Sequence, residues 1–379
     1  MTDRFDDIRP YRDDEIPAAM HRVTANALFP GISAFVYPGR DVEEVRRAIR
    51  GYRSVDEFQS RAMKAFVEQV IARSVARFSY TGTRALDREK AYLFVSNHRD
   101  ITLDSSFLQY ALHREGFRTT EITFGSNLMS SPLIVDIGKS NKMFTFARGG
   151  TFRAFHANSR RLSAYIRHAI TGRGTSIWIA QRDGRTKDGR DVTNKGIISM
   201  FRLSSPGDPV DALTALNITP VSISYEWEPC DLLKALEIYH SRKERYVKKP
   251  GEDLHAILTG ITAAKGRVHL NIGKPLAESD LLPLAVPSPA RFNERVAALV
   301  DRQVNGLYSL TCNNYIADDL LRDAARHARH YSPDERCRFT RHYHAARDAA
   351  RDRHGVRDID TFASIFLGIY AHPVTARGE

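Results

Sequence analysis

Apolar residues along this chain fall into two rhythms, a helical spacing and short continuous runs, and the order of the two predicts the elements. Residues 1 to about 40 are polar and then mixed, with Pro30, Gly31, Pro38 and Gly39 interrupting any long element, which predicts an extension of short helices. From Asp41 the pattern turns helical. Phe58, Ala62, Phe66 and Val70 stand four apart beside a second row of Met63, Val67, Ile71 and Val75, the wide apolar stripe of one long helix packed on a core. Tyr80-Thr81-Gly82-Thr83 is its turn signal.

Short β-prone runs then alternate with helical stretches. Ala91 to Ser96 predicts a strand, followed by a helix through Phe107, Leu108, Tyr110, Ala111 and Leu112. Met143 to Ala147 predicts a second strand ending at Arg148-Gly149-Gly150. A helix follows from about Phe152, with Leu162, Ile166 and Ala169 on one face and Gly172 just past its end. Ser176 to Ala180 is a third strand, leading into the polar loop Gln181 to Lys195. Ile218 to Trp227 is a fourth, tolerating Pro220 near its start, and Val268 to Ile272 a fifth, closed by Gly273 and Pro275. This order predicts an α/β fold: a largely parallel β-sheet flanked by helices, with helical N- and C-terminal extensions. The expected division is a helical N-terminal extension over 1–84, an α/β domain over 85–285 and a basic helical region over 286–379. Within the last, Asp318 to Arg353 has the look of a solvated helical face, and Phe362 to Tyr370 of a docking helix too short to cross a bilayer.

Composition narrows the class. The 379 residues carry 42% hydrophobic and 27% charged side chains, ordinary for a globular protein that buries a sizeable core. A formal charge of +11 favours an anionic partner, whether nucleic acid, an anionic membrane surface or a phosphorylated substrate. No nucleic-acid-binding signature accompanies the charge, and the basic residues are not interleaved with aromatics, so the expectation is no nucleic acid. Cys230, Cys312 and Cys337 are far apart and form neither a disulfide framework nor a metal site, and no metal or cofactor is expected. The charged start of the chain lacks a signal-peptide core and no window reaches transmembrane length. The expected location is the cytoplasm, with any membrane contact peripheral on its inner face.

The chemistry-bearing stretch is Tyr92 to Phe107, which sets His98 on the turn after an apolar strand, with Asp100 and Asp104 close behind. Open α/β sheets place ligands at this end of their strands, and a histidine beside a carboxylate is a general base in waiting. The triplet His98-Arg99-Asp100 invites comparison with the protein-kinase catalytic loop. Ser105 stands where that loop has its metal-binding Asn, and neither a D-F-G nor a glycine-rich loop is present, so a kinase is excluded.

Ser96-Asn97-His98 with Asp104 instead resembles the first motif, N-H-x4-D, of the glycerolipid acyltransferases, the family of the lysophosphatidic acid and glycerol-3-phosphate acyltransferases. Three further stretches follow in the family's order. Phe144-Thr145-Phe146-Ala147-Arg148 resembles its second motif. Arg182-Asp183-Gly184-Arg185-Thr186 resembles the third, F-P-E-G-T-R, and Ile218-Thr219-Pro220-Val221 the fourth. The match runs from about 85 to 230.

The resemblance implies an O-acyltransferase of phospholipid biosynthesis, with a fatty acyl thioester (acyl-CoA or acyl-carrier protein) as co-substrate and a phosphorylated lipid acceptor at an anionic membrane surface. It implies His98 as base and Asp104 as its partner. It also implies Arg148, Arg182, Asp183, Gly184 and Arg185 about the acceptor, with Arg148 and Arg185 forming a basic phosphate pocket beside an apolar tunnel. Arg99, Lys187 and Arg190 are expected to face solvent or lie at the periphery. Two departures stand out. Leu103 occupies the family's carboxylate position, so either the turn holds an extra residue and Asp104 is the partner, the favoured reading, or Asp100 is. The third motif replaces Glu by Asp183 and Phe-Pro by Gln181-Arg182, which points to a distinct bacterial-type subfamily.

Overall fold

The computed structural model describes residues 4–129, 131–146, 151–242 and 246–378. Its centre is a seven-stranded sheet, with β1 (Val75–Thr81), β2 (Leu93–Ser96), β3 (Glu121–Gly125), β4 (Met143–Phe146), β5 (Ile177–Ala180), β6 (Ile218–Tyr225) and β7 (Gly266–Ile272) in the order β1-β7-β6-β2-β5-β3-β4. Neighbours pair in parallel except β6 with β7, so the largely parallel α/β expectation holds. The reversal at β7 turns β1 and β7 against the other five.

Strand β2 lies between β5 and β6 and is buried along its whole length. Leu93 and Val95 face one core with Ile177, Ile179, Leu162, Ile166 and the Val296, Val300 and Val304 face of the helix Pro289–Leu307. Phe94 faces the other with Phe107, Leu108, Trp178, Val221, Ile223 and the Val67 and Val70 side of the helix Lys64–Ser74. A strand sandwiched this way cannot move without disturbing both cores, and it carries the histidine.

Three departures from the expected elements stand out. The apolar stripe from Phe58 belongs to a helical stretch with a π-helical turn over Phe58–Met63, and the helix stops at Ser74. Val75, which matched the helical row, instead opens β1, where Phe78 and Tyr80 alternate onto the core. Strand β3, between β4 and β5, was not expected from its five residues. Beyond the sheet, the helix Ile359–Ala376 contains the Phe362 to Tyr370 segment. It packs Phe362, Phe366 and Tyr370 against Ile316, Leu236, Tyr239 and Phe339 of neighbouring helices, which is docking as expected. Among the described residues no helix is long and apolar enough to cross a membrane.

Candidate active site

The site forms where β2 and β5 end side by side. As β2 finishes, Asn97 continues its pairing through the side chain: Nδ2 donates to Ile223 O at 3.0 Å and Oδ1 accepts from Ile223 N at 2.8 Å. His98 follows, its carbonyl accepting from Thr186 N at 2.6 Å, so the turn after β2 is tied to the loop after β5.

The spacing question resolves in favour of Asp104. Asp100 is the helix cap: its Oδ1 accepts from the N–H groups of Thr102 (2.9 Å) and Leu103 (2.8 Å), opening the helix Leu103–Arg114. Asp104, in the first turn of that helix, accepts on Oδ2 from His98 Nδ1 at 2.9 Å and from the backbone N–H groups of Arg99 (2.6 Å) and Asp100 (2.9 Å). Its Oδ1 accepts from the Tyr225 hydroxyl at 2.8 Å. The extra residue relative to H-x4-D lets the turn fold both N–H groups onto the carboxylate. Because that carboxylate can only accept, His98 Nδ1 carries the hydrogen and Nε2 is the ring nitrogen left for chemistry. The Tyr225 phenol is pushed well above its ordinary range by burial and by the Asp104 and Asp100 carboxylates, so it stays a neutral donor. Burial, with Asp104 beside it, likewise raises the Asp100 carboxyl.

His98 stands edge-on to Trp178, ring centres 5.6 Å apart, in the wall of a cavity of about 520 Å³. The rest of the wall is mainly apolar, with Ile122, Phe124, Leu162, Ile179, Ile197, Met200 and Leu203 among its side chains. This is the apolar space expected beside the base.

The other expected site residues divide. Arg182 and Asp183 line the same cavity. Gly184 adopts a left-handed turn with φ of 72°. Arg185 does not line the cavity; it is buried, near enough to Cys230 and Asp100 for its charge to favour the ionised form of each. Arg148 lies outside the described residues. Lys187 pairs with Glu237, and Arg190 is exposed.

Arg99 is a correction: it is fully buried. Its guanidinium meets Asp191 Oδ2 (Nη2 at 2.6 Å, Nε at 3.2 Å) and Glu228 (3.4 Å), and lies 5.0 Å from the centre of the Tyr308 ring. Lys234 closes the cluster, donating to Glu228 Oε1 and to the Arg99 carbonyl, each at 2.6 Å. A charge placed directly after His98 is sealed by counter-charges arriving from distant parts of the chain, which a linear reading of one arginine does not reveal. Tyr225 and Asp191 were also missed. Tyr225 looked like a strand residue and Asp191 like one polar residue of a loop. Among the described residues no group of His, Cys, Asp or Glu could hold a metal ion.

Residues 77–224 match the family model described as Acyltransferase. That similarity to the family spans less than half of the 379-residue chain. The match runs from β1 to β6 and includes His98, Asp104, Arg182 and Asp183, while β7 and the C-terminal helices lie beyond it. No curated protein sequence matches this chain. Among solved structures, the crystal structure of the 1-acyl-sn-glycerophosphate (LPA) acyltransferase PlsC from Thermotoga maritima is similar over 77% of this chain and 94% of that chain, with 13% identity and a TM-score of 0.36. Within the residues matched by that family model, His98 and Asp104 pair at the end of β2 and the apolar cavity opens beside them.

Proposed function

We propose that this protein is an O-acyltransferase that moves a fatty acyl group from a thioester, acyl-CoA or acyl-carrier protein, to the hydroxyl of a glycerol-phosphate-type lipid, with His98 as general base. The observation that carries the proposal is the His98–Asp104 pair in the wall of an apolar cavity. In this reading the acyl chain occupies the cavity and the acceptor hydroxyl meets His98 Nε2. Nε2 takes the hydroxyl proton as the oxygen attacks the thioester carbon. The oxyanion collapses, the C–S bond breaks, and the thiolate takes the proton back from the imidazolium. Asp104 stabilises the imidazolium between the two transfers. Arg182, a guanidinium in the same wall, is the described residue best placed to receive an acceptor phosphate.

A lipid acceptor implies a surface to collect it from. Phe155, in the cavity wall yet 57% exposed, and the exposed Arg153 and Arg160 of the same helix, Phe152–Arg167, suit an anionic bilayer at the cavity mouth.

The test is an acyl-transfer assay pairing both donor types with glycerol 3-phosphate, its 1-acyl derivative and a non-phosphorylated lipid alcohol, run beside His98→Ala. Transfer to a phosphorylated acceptor, reduced roughly 10²- to 10⁴-fold in folded His98→Ala, supports the reading. No transfer with any pair, or full activity in the variant, overturns it.

A further inference from the structure

Asp191 is fully buried and lies in no expected motif, yet its carboxylate bonds both residues that flank His98. Oδ2 accepts from Asn97 Nδ2 at 3.0 Å and from Arg99 Nη2 at 2.6 Å; Oδ1 accepts from Thr186 Oγ1 at 2.7 Å. Thr186 in turn holds the His98 carbonyl through its own N–H. One carboxylate therefore ties the residue before the base, the residue after it and the residue bonded to its carbonyl.

The segment carrying Asp191 is gripped from outside the acyltransferase-family region. Asp188 O accepts from His372 Nδ1 at 2.5 Å, Asn305 Nδ2 donates to Asp191 O at 3.3 Å, and Thr193 N donates to Asp301 Oδ1 at 2.6 Å. Gly189, at φ of 79°, passes so close to the helix Ile359–Ala376 that a Cβ would fall 2.3 Å from Ile369 O. These grips come from the helices Pro289–Leu307 and Ile359–Ala376, on residues 188 to 193.

We propose that Asp191 is a positioning residue for His98, and that residues 188–193 form a strap by which the C-terminal helices hold the catalytic turn in register. The inference deepens the acyl-transfer reading, since the dyad it positions is the proposed base. It also gives the C-terminal helices a task in the site: they fix the strap, the strap fixes Asp191, and Asp191 fixes the turn. Misplacing a reacting group by about an ångström costs on the order of a hundredfold in rate, so loss of the clamp is read in kcat while binding in the separate cavity persists.

Two substitutions and two readouts test it. Asp191→Ala removes every side-chain bond of the clamp, whereas Thr186→Val removes a single hydroxyl and leaves the buried charges paired. The first readout needs no substrate: the low-field proton signal of the His98 Nδ1–H bond to Asp104, assigned by its absence in His98→Gln. The second is the split between kcat and KM. The expected result for Asp191→Ala is loss or broadening of that signal and a kcat lower by on the order of a hundredfold, with KM for the acyl donor little changed. Asp191→Asn, which can turn its oxygen to Asn97 and Arg99, recovers part of the loss, and Thr186→Val shows the same pattern in milder form. A folded Asp191→Ala or Thr186→Val with the wild-type signal and kcat overturns the inference. So does a loss of kcat that disappears when the rate is counted per folded molecule. If Asp191→Ala does not fold, Thr186→Val decides. If the wild type transfers no acyl group, the proton signal still judges the clamp, and only the functional reading falls.

Discussion

Tyr225 and His98 reach the same carboxylate from opposite sides, the phenol at Asp104 Oδ1 (2.8 Å) and the imidazole at Asp104 Oδ2 (2.9 Å). Tyr225 ends β6 and His98 follows β2, so Asp104, in the first turn of the helix Leu103–Arg114, is held from two neighbouring strands.

Tyr225→Phe keeps the ring and removes only the donor, leaving a buried carboxylate oxygen short of one partner. The expected cost is about 1–3 kcal/mol of stability, with kcat lowered several-fold because the carboxylate is freer to turn from the imidazole. Asp104→Asn goes further. If its amide nitrogen faces His98 it presents a donor to Nδ1 and favours the wrong tautomer, so kcat falls by roughly 10²- to 10⁴-fold. Urea titration and steady-state kinetics on both proteins check this; a Tyr225→Phe variant equal to wild type in both would sink it.

Gly260 lies in the helix Glu252–Thr262, where an added Cβ would fall 2.1 Å from Asp100 Oδ2. Asp100 is fully buried and its other oxygen holds the start of the helix Leu103–Arg114, so it cannot yield freely. Gly260→Ala is expected to cost about 1–3 kcal/mol by overpacking and to lower activity through the displaced cap. A melting temperature unchanged by this single methyl group would refute the close approach.

Lys265 is buried with its ammonium on Ser74 Oγ (2.9 Å) and the carbonyls of Ala263 (2.7 Å) and Ile261 (3.2 Å). Burial pulls its pKa down to about 8 from an ordinary 10.5, against the opposing pull of Asp100 and Cys230. Between those two values the unfolded chain keeps a proton that the folded chain has released, so stability rises with pH across that window and is lowest, on this account, below pH 8. The gain amounts to at most about 3 kcal/mol. Urea midpoints of wild type and Lys265→Met, taken from pH 7 to pH 10, should diverge by this increment. Parallel curves would contradict the depressed pKa.

The centre of the site was legible because it is local. Strand, turn and helix cap lie within Tyr92 to Phe107, and the two carboxylates could be told apart by asking which one a helix needs at its start. Strand β1 escaped because Val75 fits both a helical row and a strand. Arg99 and Arg185 were misread for a different reason: position beside a motif says nothing about which way a side chain turns. Arg99 turns inward to Asp191 and Glu228, and Arg185 to Cys230 and Asp100. Such directions are set by partners far along the chain, as with Glu228, 129 positions from Arg99.

The grip of His372 on Asp188 joins residues 184 positions apart. On a ribosome the whole segment that matches the family model emerges well before the helix that secures its strap. At ordinary synthesis rates of about 5–20 residues per second, the turn at His98 waits on the order of ten seconds or more for its last support. During that interval the chain has its histidine and carboxylate but not the frame that aligns them, so assembly of the site is among the latest events in making the protein.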